Sequence, residues 1–354
     1  MAPIEPNLSL YSAWNGNYGQ AMTSNFSHLS PVRFPWLAVA IALILPSIAG
    51  TDAARAAFPG APGQIVYSKQ SSDEEKSSGG LISHSPQRRG GSHPLTDSTG
   101  DDTPSYSADG RMIVFSGTRE PAGVGGLHIY VMNADGSGVR ALTSGEGYDR
   151  NPSFSPSGEQ VVFDRVVGGG RPHIFIVDID GTGLRQLTDG PVADSDPTYA
   201  PNGKWIAFAS NRDHDVRTDR SDIFSMRPDG SRLRVLIDGP RNESEPDVSP
   251  DGRKVAFTSN RAQGTHIYVA QSNGRHARAL THSRQTCHYT ACYFSPAWAP
   301  DGKHIAVLSL RRYNSEVEVM RADGTERKEF ASGGTEAEGY GTSVGAPTWG
   351  PRPR

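Results

Sequence analysis

One short string returns five times along the chain. Its copies are "PSYSADGRMIVF" from residue 104, "PSFSPSGEQVVF" from 152, "PTYAPNGKWIAF" from 197, "PDVSPDGRKVAF" from 246 and "PAWAPDGKHIAV" from 296. A sixth, incomplete copy, "GAPTWGPR", begins at Gly345 and has its proline at 347. Successive prolines are therefore separated by 48, 45, 49, 50 and 51 residues. Self-similarity at such a period predicts a propeller, a solenoid or another repeat array.

Each repeat contains four strand-like segments. The proline string supplies a first strand, a turn such as Asp109-Gly110 and a second, apolar strand; "HIYVMNADG" and "VRALTSG" are examples of the third and fourth. The segments are rich in Val, Ile, Phe and Tyr, are bounded by turn residues, and are too short for helices. Glycine in each turn allows the positive φ that a tight hairpin needs. Four antiparallel strands in a unit of this length are typical of one propeller blade.

The two ends of the repeat region complement each other. "GQIVYSK", from Gly63, is a second strand without a first, whereas "GAPTWGPR" is a first strand with nothing after it. Together they complete one blade, which closes the ring and removes exposed sheet edges. The sequence therefore predicts an all-β, six-bladed propeller over residues 57–354, after an extension with a signal peptide at 1–56. The blades are expected at about 63–100 with 344–351, and at 101–148, 149–193, 194–242, 243–292 and 293–343.

The repeat resembles a known family. The pattern [DN]-x-x-P-x-[FYW]-S-P-[DN]-G-x-x-[IV]-[AV]-F, with "IYVMNADGSGVRALT" behind it, is similar to the TolB-type propeller repeat, over about residues 63–351. The resemblance implies a propeller that acts by binding. TolB itself has a separate α/β domain before its propeller, and here only a few residues separate the predicted signal from the first blade.

The N-terminal region differs in composition from the repeats. "FPWLAVAIALIL", Phe34 to Leu45, is an uninterrupted apolar run with Arg33 before it and the small-x-small site Ala54-Arg55-Ala56 after it. This arrangement is typical of a secretory signal peptide, and the run is shorter than the roughly 20 residues of a membrane span. We expect an exported protein: periplasmic, cell-envelope or secreted. An uncleaved anchor is the alternative, and Met22 is a second candidate start.

The net charge bears on the class of binding partner, and the cysteines bear on a disulfide or a metal site. The formal net charge of −3 gives no basic field for nucleic acid. Cys287 and Cys292 stand close together in "THSRQTCHYTACYF". In an oxidising compartment this spacing predicts a local disulfide, with a metal site that includes His282 and His288 as the alternative.

Acidic residues recur just before the motif prolines. Three positions before the proline stand Asp101, Asp149, Asp194 and Glu243, and immediately before it stand Asp196 and Glu245. Because first strands line the channel of a propeller, these positions predict an acidic ring at one mouth. Such a ring could bind Ca²⁺ or a basic peptide, with Arg150 and Arg241 as nearby counter-charges. The alternative is that the acids cap the strand entries through backbone N–H groups.

The search for catalytic groups gives no constellation. "GTSVG" around Ser343 matches the elbow of serine hydrolases, but it has no downstream Asp or His. The acids of the 213–222 loop, with His214 and interleaved arginines, are expected to form a solvated loop rather than a metal site. His128, His173 and His266 occupy the same position in three of the repeats, which suggests a structural role.

These observations favour a non-catalytic, monomeric scaffold that binds a protein or a cell-envelope polymer. Two alternatives stay open. One is a cation- or small-ligand-binding propeller that uses the acidic ring, and the other is a propeller-type polysaccharide lyase, which would need a histidine-rich metal site.

Overall fold

Strands account for all regular structure in the part of the chain that the computed structural model describes. This part comprises residues 60–72, 77–86, 91–119, 126–214, 220–262, 264–282, 292–311, 314–333 and 342–352. All of these residues fall in one structural unit. Within these ranges, no helix has the length and apolar character that crossing a membrane requires. The predicted signal peptide lies outside the described residues and stays a prediction.

The strands form six antiparallel sheets, which are the six predicted blades. Blade 1 contains β1 (Pro62–Ser72), β2 (Ser77–His84), β3 (His93–Pro94), β24 (Thr342–Val344) and β25 (Thr348–Pro351). Blade 2 contains β4 (Asp102–Tyr106), β5 (Met112–Gly117), β6 (His128–Asn133) and β7 (Arg140–Ala141). Blade 3 contains β8 (Tyr148–Phe154), β9 (Gln160–Val166), β10 (His173–Asp178) and β11 (Arg185–Gln186).

The remaining three blades follow the same order. Blade 4 contains β12 (Asp194–Tyr199), β13 (Ile206–Ser210), β14 (Asp222–Met226) and β15 (Arg234–Ile237). Blade 5 contains β16 (Glu243–Val248), β17 (Lys254–Ser259), β18 (His266–Gln271) and β19 (Arg278–Ala279). Blade 6 contains β20 (Cys292–Trp298), β21 (His304–Arg311), β22 (Asn314–Arg321) and β23 (Lys328–Ser332).

The C-terminal strands close the ring, as the sequence predicts. Val344 of β24 lies opposite Lys69 of β1, and Trp349 of β25 lies opposite Ile65. Blade 1 thus takes its first strand from the end of the chain. The prediction of a six-bladed, all-β propeller with a composite blade is confirmed.

The first strand of each complete blade has an irregular register at its proline. The residue before the proline adopts a positive φ of 50–57° in Thr103, Asn151, Asp196, Glu245 and Ser295. Strand pairing shifts at the same place in all five blades. Left-handed backbone is unfavourable for residues with a Cβ, so its repetition shows that the bulge is built into every blade.

The core lies in the seams between neighbouring blades. A phenylalanine at one position of the second strand is fully buried in four blades: Phe115, Phe163, Phe208 and Phe257. Apolar clusters connect blades 1 and 2, blades 2 to 4, 4 and 5, 5 and 6, and 6 and 1. Burial of each phenylalanine side chain stabilises the fold by about 1.5–3 kcal/mol. The hydrophobic packing therefore runs around the whole ring.

The two ends of the strands differ in their connections. At the end we call the turn end, short hairpins join first to second and third to fourth strands. At the opposite end, the loop end, longer loops join second to third strands, and the chain crosses to the next blade. Third-to-fourth turns also contact the preceding blade: a Cβ on Gly274, whose φ is +81°, would overlap the Leu236 carbonyl oxygen. Glycine is required there both for its backbone and for the close approach of two blades.

Candidate functional site

Four of the predicted ring carboxylates begin first strands at the loop end. Their side chains have zero exposure, and each forms an ion pair with an arginine that follows it by 16 or 18 residues. The four pairs join Asp101 to Arg119, Asp149 to Arg165, Asp194 to Arg212, and Glu243 to Arg261. Arg165 Nη2 lies 2.7 Å from Asp149 Oδ2, and Arg212 Nη2 lies 2.7 Å from Asp194 Oδ1. The carboxylates are buried within blades rather than open to a channel.

Each of these arginines also contacts two aromatic rings of its own blade. The guanidinium carbons lie 4.9–5.9 Å from the ring centroids. The rings belong to Phe115 and Tyr130, Phe163 and Phe175, Phe208 and Phe224, and Phe257 and Tyr268. A planar guanidinium can hold a carboxylate at its edge while its face covers an aromatic ring. The arrangement connects three strands of one blade.

Neighbouring groups complete these pairs. Thr143 Oγ1, from the preceding blade, donates to Asp149 Oδ2 at 2.5 Å, and His128 Nδ1 lies 3.6 Å from the same oxygen. His173 Nδ1 lies 3.7 Å from Asp194 Oδ2 in the next seam. Both histidines are the first residues of third strands, so their position follows from the sequence repeat.

Burial changes the acidity of two members of the set. Burial raises the pKa of Asp101 and of Glu243 above their ordinary values, although the Arg119 and Arg261 guanidinium groups act in the opposite direction. In both groups burial therefore has a larger effect on the pKa than the neighbouring guanidinium.

The prediction that Arg150 and Arg241 neutralise these carboxylates was wrong. Arg150 and Arg241 are exposed, and the arginines that neutralise the carboxylates come from the ends of second strands or the loops after them. These four carboxylates have arginine side chains as partners rather than the backbone N–H groups of the capping alternative, whereas Glu245 does accept a backbone N–H, that of Ser295. Whether the set binds Ca²⁺ stays a prediction.

Asp196 and Glu245 take part in a second arrangement, which links adjacent first strands. Asn151 Nδ2 donates to Asp164 Oδ1 and to Asp196 Oδ1, both at 2.8 Å, and the Asp196 backbone N–H donates to Asp164 Oδ1 at 3.1 Å. Glu245 Oε2 accepts a hydrogen bond from Ser295 N at 2.8 Å. These side chains bridge blade 3 to 4 and blade 5 to 6, and they were not predicted to do so.

Asp164 has a strongly raised pKa in this arrangement. Burial, and then the negative charge of Asp196, raise its pKa from 3.8 to about 7. Two buried carboxylates that meet cannot both ionise readily. The pair therefore retains a proton to a higher pH than an ordinary aspartate would, and the Asn151 amide donates to both members.

Blade 6 also contains a carboxylate, an arginine and an aromatic ring, but the carboxylate and the ring have exchanged strands. Tyr293 occupies the position of the first-strand carboxylate, and Glu318 occupies the position of the third-strand ring. Arg327 lies 4.8 Å from the Tyr293 centroid, and its Nε is 3.0 Å from Glu318 Oε2. Arg311 Nη2 also donates to Glu318 Oε1 at 2.9 Å. The combination of acid, arginine and ring is kept although the residues change places.

The structure also describes the surroundings of three further candidates from the sequence, His214, Ser343 and Cys292. His214 Nε2 lies 2.8 Å from Asp222 Oδ2, while Asp215 and Asp219 lie outside the described residues. Ser343 lies in β24, opposite Gln70 of β1, and not on a strand–turn–helix elbow. Among the described residues, no three His, Cys, Asp or Glu side chains are grouped to hold a metal ion. Cys292 is buried at the start of β20, but Cys287 lies outside the described ranges, so their disulfide stays a prediction.

An apolar patch is exposed at the loop end of blade 3. Tyr148, at the start of β8, is 50% exposed, and Val167, just after β9, is 49% exposed. The two strands pair here, with Tyr148 opposite Val166. Arg150 and Arg171 are exposed nearby in the sequence. We refer to Tyr148, Val167, Arg150 and Arg171 as the blade 3 patch.

Sequence comparison finds the family model of the TolB beta propeller domain (PD40) over residues 214–351. The Tol-Pal system protein TolB of Thioalkalivibrio sulfidiphilus is 36% identical over 66 residues, which are 19% of this chain and 14% of that protein. The aligned stretch thus spans about a seventh of this relative.

Structure comparison extends the likeness over most of the chain. TolB from Acinetobacter baumannii superposes with a TM-score of 0.64 at 18% identity, covering 82% of this chain and 67% of the other. A putative TolB from Agrobacterium tumefaciens gives 0.58 at 18% identity, covering 76% and 90%. At these identities the structural likeness shows the fold, and the chain folds as a propeller similar to that of TolB.

Proposed function

We propose that this TolB-like propeller is an exported, non-catalytic scaffold whose loop end binds another protein of the cell envelope. The observation that carries the proposal is the blade 3 patch. It combines an exposed aromatic residue and an arginine of β8, Tyr148 and Arg150, with an exposed aliphatic residue and an arginine of the loop after β9, Val167 and Arg171. Aromatic residues and arginine are enriched at the energetically dominant positions of protein interfaces.

The surroundings of the patch support a binding role. The buried carboxylates of the loop end are engaged by arginines inside the blades. Since those charges are buried and paired inside the blades, recognition falls to the exposed residues and the loops. A rigid ring that presents variable loops is a common design for a binding surface.

The relatives support a protein as the partner. The curated relative is named for the Tol-Pal system, and by likeness we assign this chain a protein partner in the envelope. Export rests on the apolar run from Phe34 to Leu45 and the small-x-small site after it. An envelope polymer is the alternative ligand, and a monomer remains the expected state of the free protein.

The test compares two pairs of surface substitutions in affinity capture from an envelope extract. Tyr148→Ser with Val167→Ser removes the apolar part of the patch. Leu184→Ser with Leu233→Ser is the matched control, because these residues are 45% and 41% exposed near the turn end. We expect a captured protein that is retained by the native chain and by the control but lost with the patch variant. Equal capture by all three chains would overturn the proposal.

Cation binding by the predicted acidic ring is tested separately. A metal ion that binds only the folded protein raises the melting temperature by mass action. Because arginines already neutralise Asp149 and Asp194, we expect millimolar Ca²⁺ to leave the melting temperature as it is in EDTA. A rise with Ca²⁺ that disappears in Asp149→Asn would instead establish the cation-binding function.

A further inference from the structure

A cavity of about 320 Å³ lies at the turn end, in the seam between blades 5 and 6. Its walls come from two hairpins, one between β16 and β17 and the other between β20 and β21. The lining includes Pro250, Asp251 and Lys254 from blade 5, and Trp298, Pro300 and Asp301 from blade 6. Binding pockets for small molecules begin at about this volume, near 300 Å³.

The repeat explains why the cavity opens at this seam. Lys254 is the first residue of its second strand, and blades 2, 4 and 6 have Met112, Trp205 and His304 at this position, whereas blade 3 has Gln160. Met112 and Trp205 pack against the apolar seam clusters, and the His304 ring lies 6.3 Å from the ring of Trp349. Lys254 is exposed instead. Its exposed side chain lines the cavity, so this seam lacks the apolar residue that blades 2 and 4 have at the same position.

A buried donor lines the cavity. Trp298 is 1% exposed, and its indole Nε1–H has no hydrogen-bond acceptor among the described residues. Buried tryptophan N–H groups usually have an acceptor, and an unsatisfied buried donor costs about 1–3 kcal/mol. A ligand that offers an acceptor at this wall would recover that free energy.

The hairpins add acceptors to the same cavity. Asp251 Oδ1 is engaged by Ser249 Oγ at 2.7 Å, and Asp301 Oδ1 by Lys303 N at 2.8 Å. An aspartate from each of the two hairpins lines this cavity, whereas the corresponding turn positions of blades 2 to 5 are Asp109, Ser157, Asn202 and Asp251 in turn. The cavity thus offers carboxylate acceptors, the Lys254 ammonium and the indole donor, beside two apolar proline rings.

We propose that this cavity binds a hydroxylated ligand of the size of one sugar ring. Hydroxyl groups both donate and accept, so they can satisfy the aspartates and the indole N–H of Trp298 together. The apolar faces of the sugar would contact Pro250 and Pro300. A bare cation satisfies neither the indole donor nor Lys254. The site lies at the opposite end from the blade 3 patch and does not depend on the proposed protein partner.

The test follows the indole N–H of Trp298 directly by NMR. The chain contains five tryptophans, and ¹⁵N-labelled protein gives a separate indole N–H signal for each, with that of Trp298 assigned through Trp298→Phe. We expect millimolar D-glucose or N-acetylglucosamine to shift the Trp298 signal in a saturable manner. Absence of a shift with both sugars would overturn the proposal, as would an equal shift with glycine or CaCl₂.

A second variant keeps the test independent of Trp298. Lys254→Met introduces the residue that blade 2 has at this position, so it should fill the cavity and weaken sugar binding by about tenfold or more. Gln160→Met is the matched control, because it makes the same kind of change in blade 3 and should leave the affinity unaltered. Unchanged binding in Lys254→Met would place the sugar elsewhere and reject this site.

Discussion

Asp149 and Arg165 show how single residues hold a blade together. The carboxylate has zero exposure, and the arginine contacts both it and the rings of Phe163 and Phe175. Desolvation makes such a pair weak as a net source of stability, but removal of one partner leaves a buried charge. The pair is therefore expected to be much more sensitive to single than to paired substitution.

We expect Arg165→Met to lower the free energy of unfolding by about 3–5 kcal/mol, because Asp149 then lacks its cation. The double variant Arg165→Met, Asp149→Asn should recover a large part of this loss. Urea unfolding measures both, and Arg171→Met, at an exposed position of the same blade, should change stability by less than about 0.5 kcal/mol. Equal losses in the single and double variants would contradict the ion-pair explanation.

Asp164 makes the stability of the protein depend on pH. Its pKa is about 7 in the folded protein, against 3.8 ordinarily, so the folded state retains a proton that the unfolded chain releases. This contribution to stability is fully present below about pH 4 and is lost as the pH rises through about 7. We expect Asp164→Asn to remove this decline, so the variant should gain stability relative to the native chain between those limits.

The measurement is the urea midpoint of the two proteins across that pH range. Asp189→Asn is the control, since Asp189 is an exposed carboxylate of the same blade. It should follow the native curve. Parallel curves for Asp164→Asn and the native chain would show that Asp164 does not hold the proton.

Most of the side-chain contacts of these buried carboxylates could not be predicted from the sequence. The carboxylates three residues before each proline were recognisable as a periodic set. Their arginine partners were missed because they lie on another strand, although "GTR", "FDR", "SNR" and "SNR" recur at the ends of second strands. Asp164 gave no signal at all, since a lone aspartate after an apolar run indicates nothing until Asn151 and Asp196 are placed beside it.

At the scale of strands and blades, blade 6 shows that the arrangement matters more than the residue at each position. Glu318 on its third strand replaces the ring found in blades 2 to 5, and Tyr293 on its first strand replaces the carboxylate. His266 of blade 5 accordingly stacks on Tyr293, with centroids 6.5 Å apart. The exchange preserves one acid, one ring and an arginine between them.

This exchange predicts that the two positions are coupled. Tyr293→Asp alone places two carboxylates beside Arg327, and Glu318→Tyr alone removes the acid, so each should destabilise the protein by about 1–3 kcal/mol. The double variant, which restores the arrangement of blades 2 to 5, should be more stable than the sum of the single losses predicts. A double-mutant cycle in urea measures the coupling, and strictly additive losses would refute it.

Strands and turns were more predictable than side-chain partners. The turns at Asp109-Gly110 and its equivalents were evident because a tight hairpin requires glycine with a positive φ, and the structure gives Gly110 a φ of 72°. The bulge at the preceding residues was not evident. Thr103, Asn151 and Ser295 are short polar residues of a kind common in many loops and turns, so only the pairing with the second strand reveals the shifted register.

At the scale of the whole molecule, ring closure depends on a few C-terminal residues. Trp349 is buried in the seam between blades 6 and 1, and its strand covers the inner edge of β1. An uncovered strand edge is a template for pairing with another chain. The complementary fragments at the two ends of the repeat region made this closure predictable from sequence.

We expect a chain that lacks residues 342–352 to lose its cooperative unfolding transition and to associate, because β1 then has a free edge. Size-exclusion chromatography and urea unfolding measure both effects. Trp349→Phe is the control, since it keeps the backbone pairing and reduces only the packing, and it should remain monomeric. A truncated chain that stays monomeric with an unchanged midpoint would show that closure contributes little.

The closing strand also brings the two chain ends of the ring together. Pro62 lies opposite Pro351, and Arg352 N donates to the Ala61 carbonyl at 2.9 Å, both at the turn end. A short linker could therefore join these points, and the chain could be opened at another first-to-second hairpin to give a circular permutant with the same strand pairs. Fusions at either end of the ring would likewise emerge at one shared place, opposite the blade 3 patch, and leave that patch accessible.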